Sequence, residues 1–195
     1  MNFFSKHKLK SLRKKVEKQH EARERRGNNA EVKAEVEAQY ALANFYDKHR
    51  WDRKLPHAEV YALECYRAAA ALGDAKAQYI SGQRLLEQAK FWDAWSRSPI
   101  YGATIHKKYA ANYYEEAFAY LRAAEAANYA YAKRLLGLVY MHGWGVAKNM
   151  NEGYKLILDS IDLEKSWDRA TKIFEELKLN SPEFFAALQS HKREF

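Results

Sequence analysis

The stretch Tyr66-Arg67-Ala68-Ala69-Ala70-Ala71-Leu72-Gly73-Asp74-Ala75-Lys76-Ala77 superposes without a gap on Leu121-Arg122-Ala123-Ala124-Glu125-Ala126-Ala127-Asn128-Tyr129-Ala130-Tyr131-Ala132, 55 residues further on. Each copy has the composition of one helix ending, a break, and a second helix beginning. Gly73 and Asn128 share a position, and Gly and Asn are the residues that most readily take the left-handed conformation closing a helix. The alanines on both sides allow two helices to approach closely, because small side chains shorten the interaxial distance. The repeated stretch therefore predicts two αα-hairpin junctions.

The register extends outward from these junctions. Ala77, Ser81, Gly82 and Leu85 correspond to Ala132, Leu136, Gly137 and Tyr140, and an earlier copy stands at Ala38, Leu42, Ala43 and Tyr46. The copies are separated by 39 and 55 residues. The longer spacing implies about 16 inserted residues, the kind of insertion that an array of helix pairs tolerates on one face. The segment from Phe91 to Lys107 is the expected insertion.

The segment Ala132 to Tyr154 includes Leu136-Gly137, Tyr140, the loop Gly143-Trp144-Gly145-Val146 and Asn149. It resembles a Sel1-like repeat, a relative of the tetratricopeptide repeat, over roughly residues 30 to 165. The copies at Ala38 and Ala77 are degraded. Asp47 to Pro56 replaces the Gly-x-Gly-Val loop after Tyr46, and Asp159-Ser160 stands where the third copy's closing alanine pair falls. The resemblance implies an all-α fold: an α-solenoid of about three Sel1-like helix pairs, preceded by a basic N-terminal helix and closed by C-terminal capping helices. Residues 1–28 form the expected basic arm and 29–195 the expected repeat domain. Helix pairs are expected at Ala30–His49 with His57–Leu72, Asp74–Lys90 with Tyr109–Ala127, and Tyr129–His142 with Met150–Leu163. A closing helix is expected over Ser166–Leu177. Ser181-Pro182-Glu183 then supplies an N-cap, a Pro at the first helical position and an acid in the first turn. Phe184, Phe185 and Leu188 of that last helix are expected to cap the end.

Composition fits this picture. The 195 residues are 48% apolar and 30% charged, with only 8 Gly and 3 Pro, which is poor in turn formers for an all-β chain. One cysteine, Cys65, rules out an internal disulfide framework and a polythiolate zinc site. No apolar run reaches membrane-spanning length, and the basic N-terminus is followed by more charge rather than by a secretory core, so a cytoplasmic location is expected.

The net charge of +8 is concentrated. Residues 1–27 carry ten basic residues against three acidic ones, including Lys8, Lys10, Arg13, Lys14 and Lys15. Such an arm attracts an acidic surface, whether nucleic acid, anionic membrane or acidic protein, and charge alone does not choose among them. Its helical apolar stripe, Leu9, Leu12 and Val16, is barely two turns long. Phe, Tyr and Trp are missing between residues 5 and 39, so the arm lacks a stacking platform for single strands.

The catalytic inventory is poor. The seven histidines include no i, i+4 pair around a Glu, and no phosphate cradle or nucleophile elbow occurs. Gly143-Trp144-Gly145 follows a helix rather than a strand and reads as a turn. Cys65 falls inside an Ala-rich helix as a small hydrophobe. Neither catalytic residues nor a cofactor or metal site are expected.

Binding residues are better represented. Arg84 and Arg134 occupy non-signature positions on first helices, where the family's concave face would lie. Phe91, Trp92, Trp95 and Tyr101 fall within 11 residues, the composition of an interface hot spot, and Trp144 lies between two loop glycines. A competing expectation is that Phe91, Trp92 and Trp95 prolong the preceding helix and pack on it. The leading expectation is a non-enzymatic adaptor or scaffold that binds another protein or complex subunit. The resemblance implies the setting of a bacterial secretion or signalling assembly. The alternative is a nucleic-acid or anionic-membrane adaptor working through the arm, and self-association is open.

Overall fold

The computed structural model describes residues 3–97 and 103–191. The described residues are all-helical, at 82% helix, with no strand among them. The helices are α1 (Phe3–Arg26), α2 (Asn29–Lys48), α3 (Ala58–Ala71), α4 (Ala75–Ser96), α5 (Ala103–Ala126), α6 (Ala130–His142), α7 (Met150–Glu164), α8 (Ala170–Glu176) and α9 (Pro182–His191), with a 3₁₀ turn at Trp167–Arg169. They divide into two compact units, Met1–Ser81 and Gly82–Phe195, with the boundary inside α4.

In the first unit α1 packs on α2 and α2 on α3. Leu42, Ala43, Phe45 and Tyr46 of α2 meet Ala58, Ala62, Cys65 and Tyr66 of α3. The short stripe of the basic helix is seated in the same core: Leu9 is buried there, with Leu12 and Val16 against it. Burying one leucine contributes about 2 kcal/mol, so three apolar side chains suffice to hold a helix whose other faces are charged. Polar ties reinforce the seat. The Arg13 guanidinium donates twice to the Tyr46 hydroxyl, at 2.7 and 3.0 Å. Glu35 of α2, itself buried, accepts from Arg23 at 2.5 Å and lies 3.1 Å from the His20 Nδ1. Asn28 caps α2 by accepting from the Glu31 amide at 3.0 Å.

In the second unit α5 packs on α6, α6 on α7, and α7 on α9. Glycine sets the closest approach. A Cβ added at Gly137 would lie 2.6 Å from Ile157 Cγ1 and 2.7 Å from the Gly153 carbonyl oxygen, so the α6 and α7 backbones touch there. At Gly82 of α4 an added Cβ would meet Leu121 of α5 at 2.7 Å. Phe184 of α9 closes a core of Tyr154, Ile157, Leu158 and Leu179.

The turn chemistry expected at Gly73 and Asn128 is present. Both residues are left-handed, with φ of 87° and 57°. The Gly73 and Asp74 amides return to the carbonyls of Ala70 and Ala69, and the Asn128 and Tyr129 amides to those of Glu125 and Ala124. This paired pattern satisfies carbonyls that the helix end leaves open. It recurs at Gly143, Lys165 and Lys178. The three registered segments also share burial: Ala38, Leu42 and Ala43, Ala77, Ser81 and Gly82, and Ala132, Leu136 and Gly137 are all buried.

Three boundaries differ from expectation. Helix α4 runs six residues past Lys90 and α5 begins at Ala103 rather than Tyr109, so most of the expected insertion is helical. No proline or glycine interrupts residues 91–96, and each aromatic there finds a ring partner, which favours continuing the helix. The expected helix over Ser166–Leu177 is a 3₁₀ turn followed by the short α8. Phe185, expected in the terminal cap with Phe184, is instead half exposed, at 50%.

Gly137→Ala is expected to cost about 1–3 kcal/mol, because the new methyl meets a backbone carbonyl that cannot move aside. Gly82→Ala is expected to cost less, since its nearest neighbours are Leu121 side-chain atoms. Urea denaturation of the two variants checks the order.

Candidate interaction surfaces

The carboxy-terminal end of α4 and the start of α5 gather a network of rings. Trp92 stacks on His106 with centroids 5.2 Å apart and planes 13° from parallel, and it meets Tyr109 at 5.3 Å. Phe91 contacts Trp92 at 5.3 Å and Trp95 at 5.7 Å. Helical phase sorts these side chains. Trp92 turns toward α5 and is half-buried, whereas Phe91 and Trp95, at i and i+4, share an outer face and are 49% and 39% exposed. Ile105 and Tyr109 of α5 are exposed as well. The His106 Nδ1 is buried beneath these rings without a hydrogen-bond partner.

Trp144 is placed differently. Its ring lies between the Lys90 ammonium, 3.3 Å from the ring centroid, and the His142 imidazole, stacked at 4.4 Å. Burial pushes the Lys90 pKa down. Burial, then the cations Lys90 and Lys148, pushes that of His142 down, which favours the neutral imidazole against the indole. Gly145, at φ 72°, lies so close to Tyr114 of α5 that an added Cβ would stand 2.5 Å from the tyrosine Cβ. The Gly143-Trp144-Gly145 loop is thus held against α4 and α5, and Trp144 is engaged within the fold.

The two arginines chosen from sequence are also engaged. Arg134 pairs with Glu164 and donates to the Ser160 hydroxyl at 3.3 Å, tying α6 to α7. Arg84 is half-buried on α4 and has an interaction of its own. Tyr101 lies outside the described residues. In the basic helix Lys8, Lys10, Lys14 and Lys15 are exposed, as is Arg13, although its guanidinium is held by Tyr46. Of the partner residues expected from sequence, the structure brings Phe91, Trp92 and Trp95 together and leaves two of them on the outside.

Two features have no local sequence signal. An apolar groove of about 850 Å³ runs between α8 and α9, lined in part by Trp167, Phe174, Leu179, Phe185 and Leu188. Beside it, Asp159 and Asp162 of α7 meet His191 of α9, with potential ligand atoms all within 4.8 Å of one another. Such a trio is chemically able to hold a divalent cation. Here the groups satisfy one another: His191 Nε2 lies 2.5 Å from Asp162 Oδ2, and the Trp167 indole donates to Asp162 Oδ1 at 2.7 Å. Burial raises the Asp159 carboxyl pKa, opposed by His191.

Cys65 is buried, and its thiol is pushed up to about 11, chiefly by burial and then by Glu64. Among the described residues no helix is long and apolar enough to cross a membrane. No family model matches the chain, and no curated protein matches it.

Asp162→Asn is expected to loosen α9 by about 1–2 kcal/mol, since it weakens the charged acceptor of both Trp167 and His191. Faster amide exchange over residues 182–191, with α2 and α3 unchanged, is the readout. The native Cys65 thiol is expected to resist a disulfide reagent at neutral pH and to react fully in urea, because the thiolate is the reactive form.

Proposed function

We propose that this chain is a non-enzymatic protein-binding module whose primary contact is the aromatic ridge of α4 and α5, centred on Phe91 and Trp95. The observation that carries the proposal is the exposure of four large apolar side chains, Phe91, Trp95, Ile105 and Tyr109, on two adjoining helices. Contiguous apolar surface of this kind, rich in Trp, Phe and Tyr, is characteristic of binding sites rather than of ordinary exposed surface. Phe91 and Trp95 sit on a helix, Phe91 against Trp92 and Trp95 against Phe91 and His106, so they lose little freedom when a partner covers them.

The same proposal treats the three registered segments as degenerate Sel1-like or tetratricopeptide-like helix pairs, with adaptor or scaffold work in a multiprotein assembly as the biological role. Support comes from the shared burial of those segments, the left-handed turns at Gly73 and Asn128, and glycine at the close helix contacts. A cytoplasmic location belongs to this proposal too.

The test is affinity capture of the tagged full-length chain from its native cell, followed by reconstitution with the purified candidate partner. A Phe91→Ser/Trp95→Ser variant is expected to weaken that complex at least about tenfold, as loss of two anchor residues does. The complex should lose little affinity on adding salt, because apolar contacts are not screened. Phe185→Ser separates the ridge from the α8–α9 groove. Binding that survives the ridge variant but fails in Phe185→Ser would overturn the assignment of the ridge.

A further inference from the structure

The basic residues of α1 divide by type. Its arginines are engaged inside the chain: Arg13 with Tyr46, Arg23 with Glu35, Arg25 with Glu21 at 2.8 Å, and Arg26 with Glu31 at 3.1 Å. Its lysines are not. Lys6, Lys8, Lys10, Lys14, Lys15 and Lys18 are all exposed, and none makes a hydrogen bond or ion pair among the described residues. Six unpaired cations on one helix repel one another, a cost that contributes nothing to the fold. The arrangement is explained by a ligand that supplies the negative charge.

Their angular placement identifies its shape. At about 100° per residue, Lys10, Lys14 and Lys18 form a crest roughly opposite the buried stripe of Leu9, Leu12 and Val16. On the same projection Lys6 stands about 90° from the stripe on one side, with Lys8 and Lys15 at about 70° to 90° on the other. Positive charge therefore covers both flanks and the top of the exposed half-cylinder, and Glu17 is the single acid among residues 5–18. A flat anionic membrane would reach the crest but not both flanks. Among the described side chains of the helix no apolar face is left to insert, because Leu9 is buried with Leu12 and Val16 against the α2 and α3 core. A groove with phosphates on both rims meets both flanks at once and receives the crest between them. An α-helix with its side chains is about 10–12 Å across, and the B-DNA major groove is about 12 Å wide. A-form RNA offers a major groove too deep and narrow for the same entry. A single strand would need stacking rings, and Phe, Tyr and Trp are missing from residues 5–39.

We infer that the lysine face of α1 is a docking surface for the phosphate rims of B-form duplex DNA. Phosphate contacts carry no sequence information, so the hold of the flank lysines on the rims is independent of sequence. The surface lies in the first unit and the aromatic ridge in the second, so this inference stands apart from the protein-binding proposal.

The experiment is fluorescence anisotropy of the full-length chain with a labelled DNA duplex of arbitrary sequence. Parallel arms use an RNA duplex, a DNA single strand and phosphatidylserine-rich vesicles, with salt varied between about 50 and 200 mM. The expected result is preference for duplex DNA, with log K falling linearly against log salt. Lys6→Gln/Lys8→Gln/Lys15→Gln, which removes the two flanks, is expected to weaken binding at least about tenfold at low salt and to flatten that slope by nearly three units, about 0.9 per lost contact. Circular dichroism of this variant should match the parent, since the three lysines hold nothing in the fold. Phe91→Ser/Trp95→Ser should bind DNA like the parent. Absence of duplex binding at low salt, an unchanged triple variant, or tighter binding to RNA, single strand or vesicles would each overturn the inference.

Discussion

The contact between α6 and α7 at Gly137 sets the geometry on which the second unit depends. With no side chain on Gly137, the α6 backbone rests on the Gly153 carbonyl and the Ile157 side chain, and Gly153 in turn faces Met141. Packing this close fixes the direction in which the chain leaves α6. The Gly143-Trp144-Gly145 loop is then short enough to press on Tyr114, and the indole comes to rest between Lys90 and His142. On the far side, α7 presents Tyr154, Ile157 and Leu158 to α9 through Phe184. A single missing methyl thus governs contacts reaching from α4 to α9.

The parts of this fold legible in the sequence are those encoded by backbone requirements. Gly73 and Asn128 mark helix ends because left-handed closure selects Gly and Asn, and the repeated alanines mark close packing because bulk is excluded there. The same closure occurs at Lys165 and Lys178, where the residue type gives no hint. Those two ends are held by the same pattern, with amides returning to Asp162 and Ile161, and to Glu175 and Phe174. The extension of α4 to Ser96 was legible as a ring spacing, but a turn was equally compatible with the repeat register. Its helical outcome reflects the stacking of Trp92 on His106, two residues whose proximity no local spacing encodes.

Long-range polar pairs were the least legible. Glu35 reads as one acid on an amphipathic helix, yet it is buried because Arg23 and His20 cover it from α1. Asp162 and His191 are 29 positions apart and meet only because Phe184 docks α9 on α7. Arg134 looks like a groove residue by register, but Glu164 is within its reach once α6 and α7 pack. In each case a charge that appears available in the sequence is used inside the fold. The same holds for Arg13 and Arg23, and it leaves the lysines as the unpaired cations of α1.

The aromatic ridge shows the converse. Phe91 and Trp95 are apolar but remain 49% and 39% exposed, although α5 reaches Trp92 and Trp95 through His106. Exposed rings lower solubility, and the buried, unpartnered Nδ1 of His106 carries a desolvation cost of about 1–3 kcal/mol. Neither the exposure of the rings nor the unpartnered nitrogen improves folding. Their coincidence at one end of α4 and α5 is the pattern expected where local stability is given up for recognition.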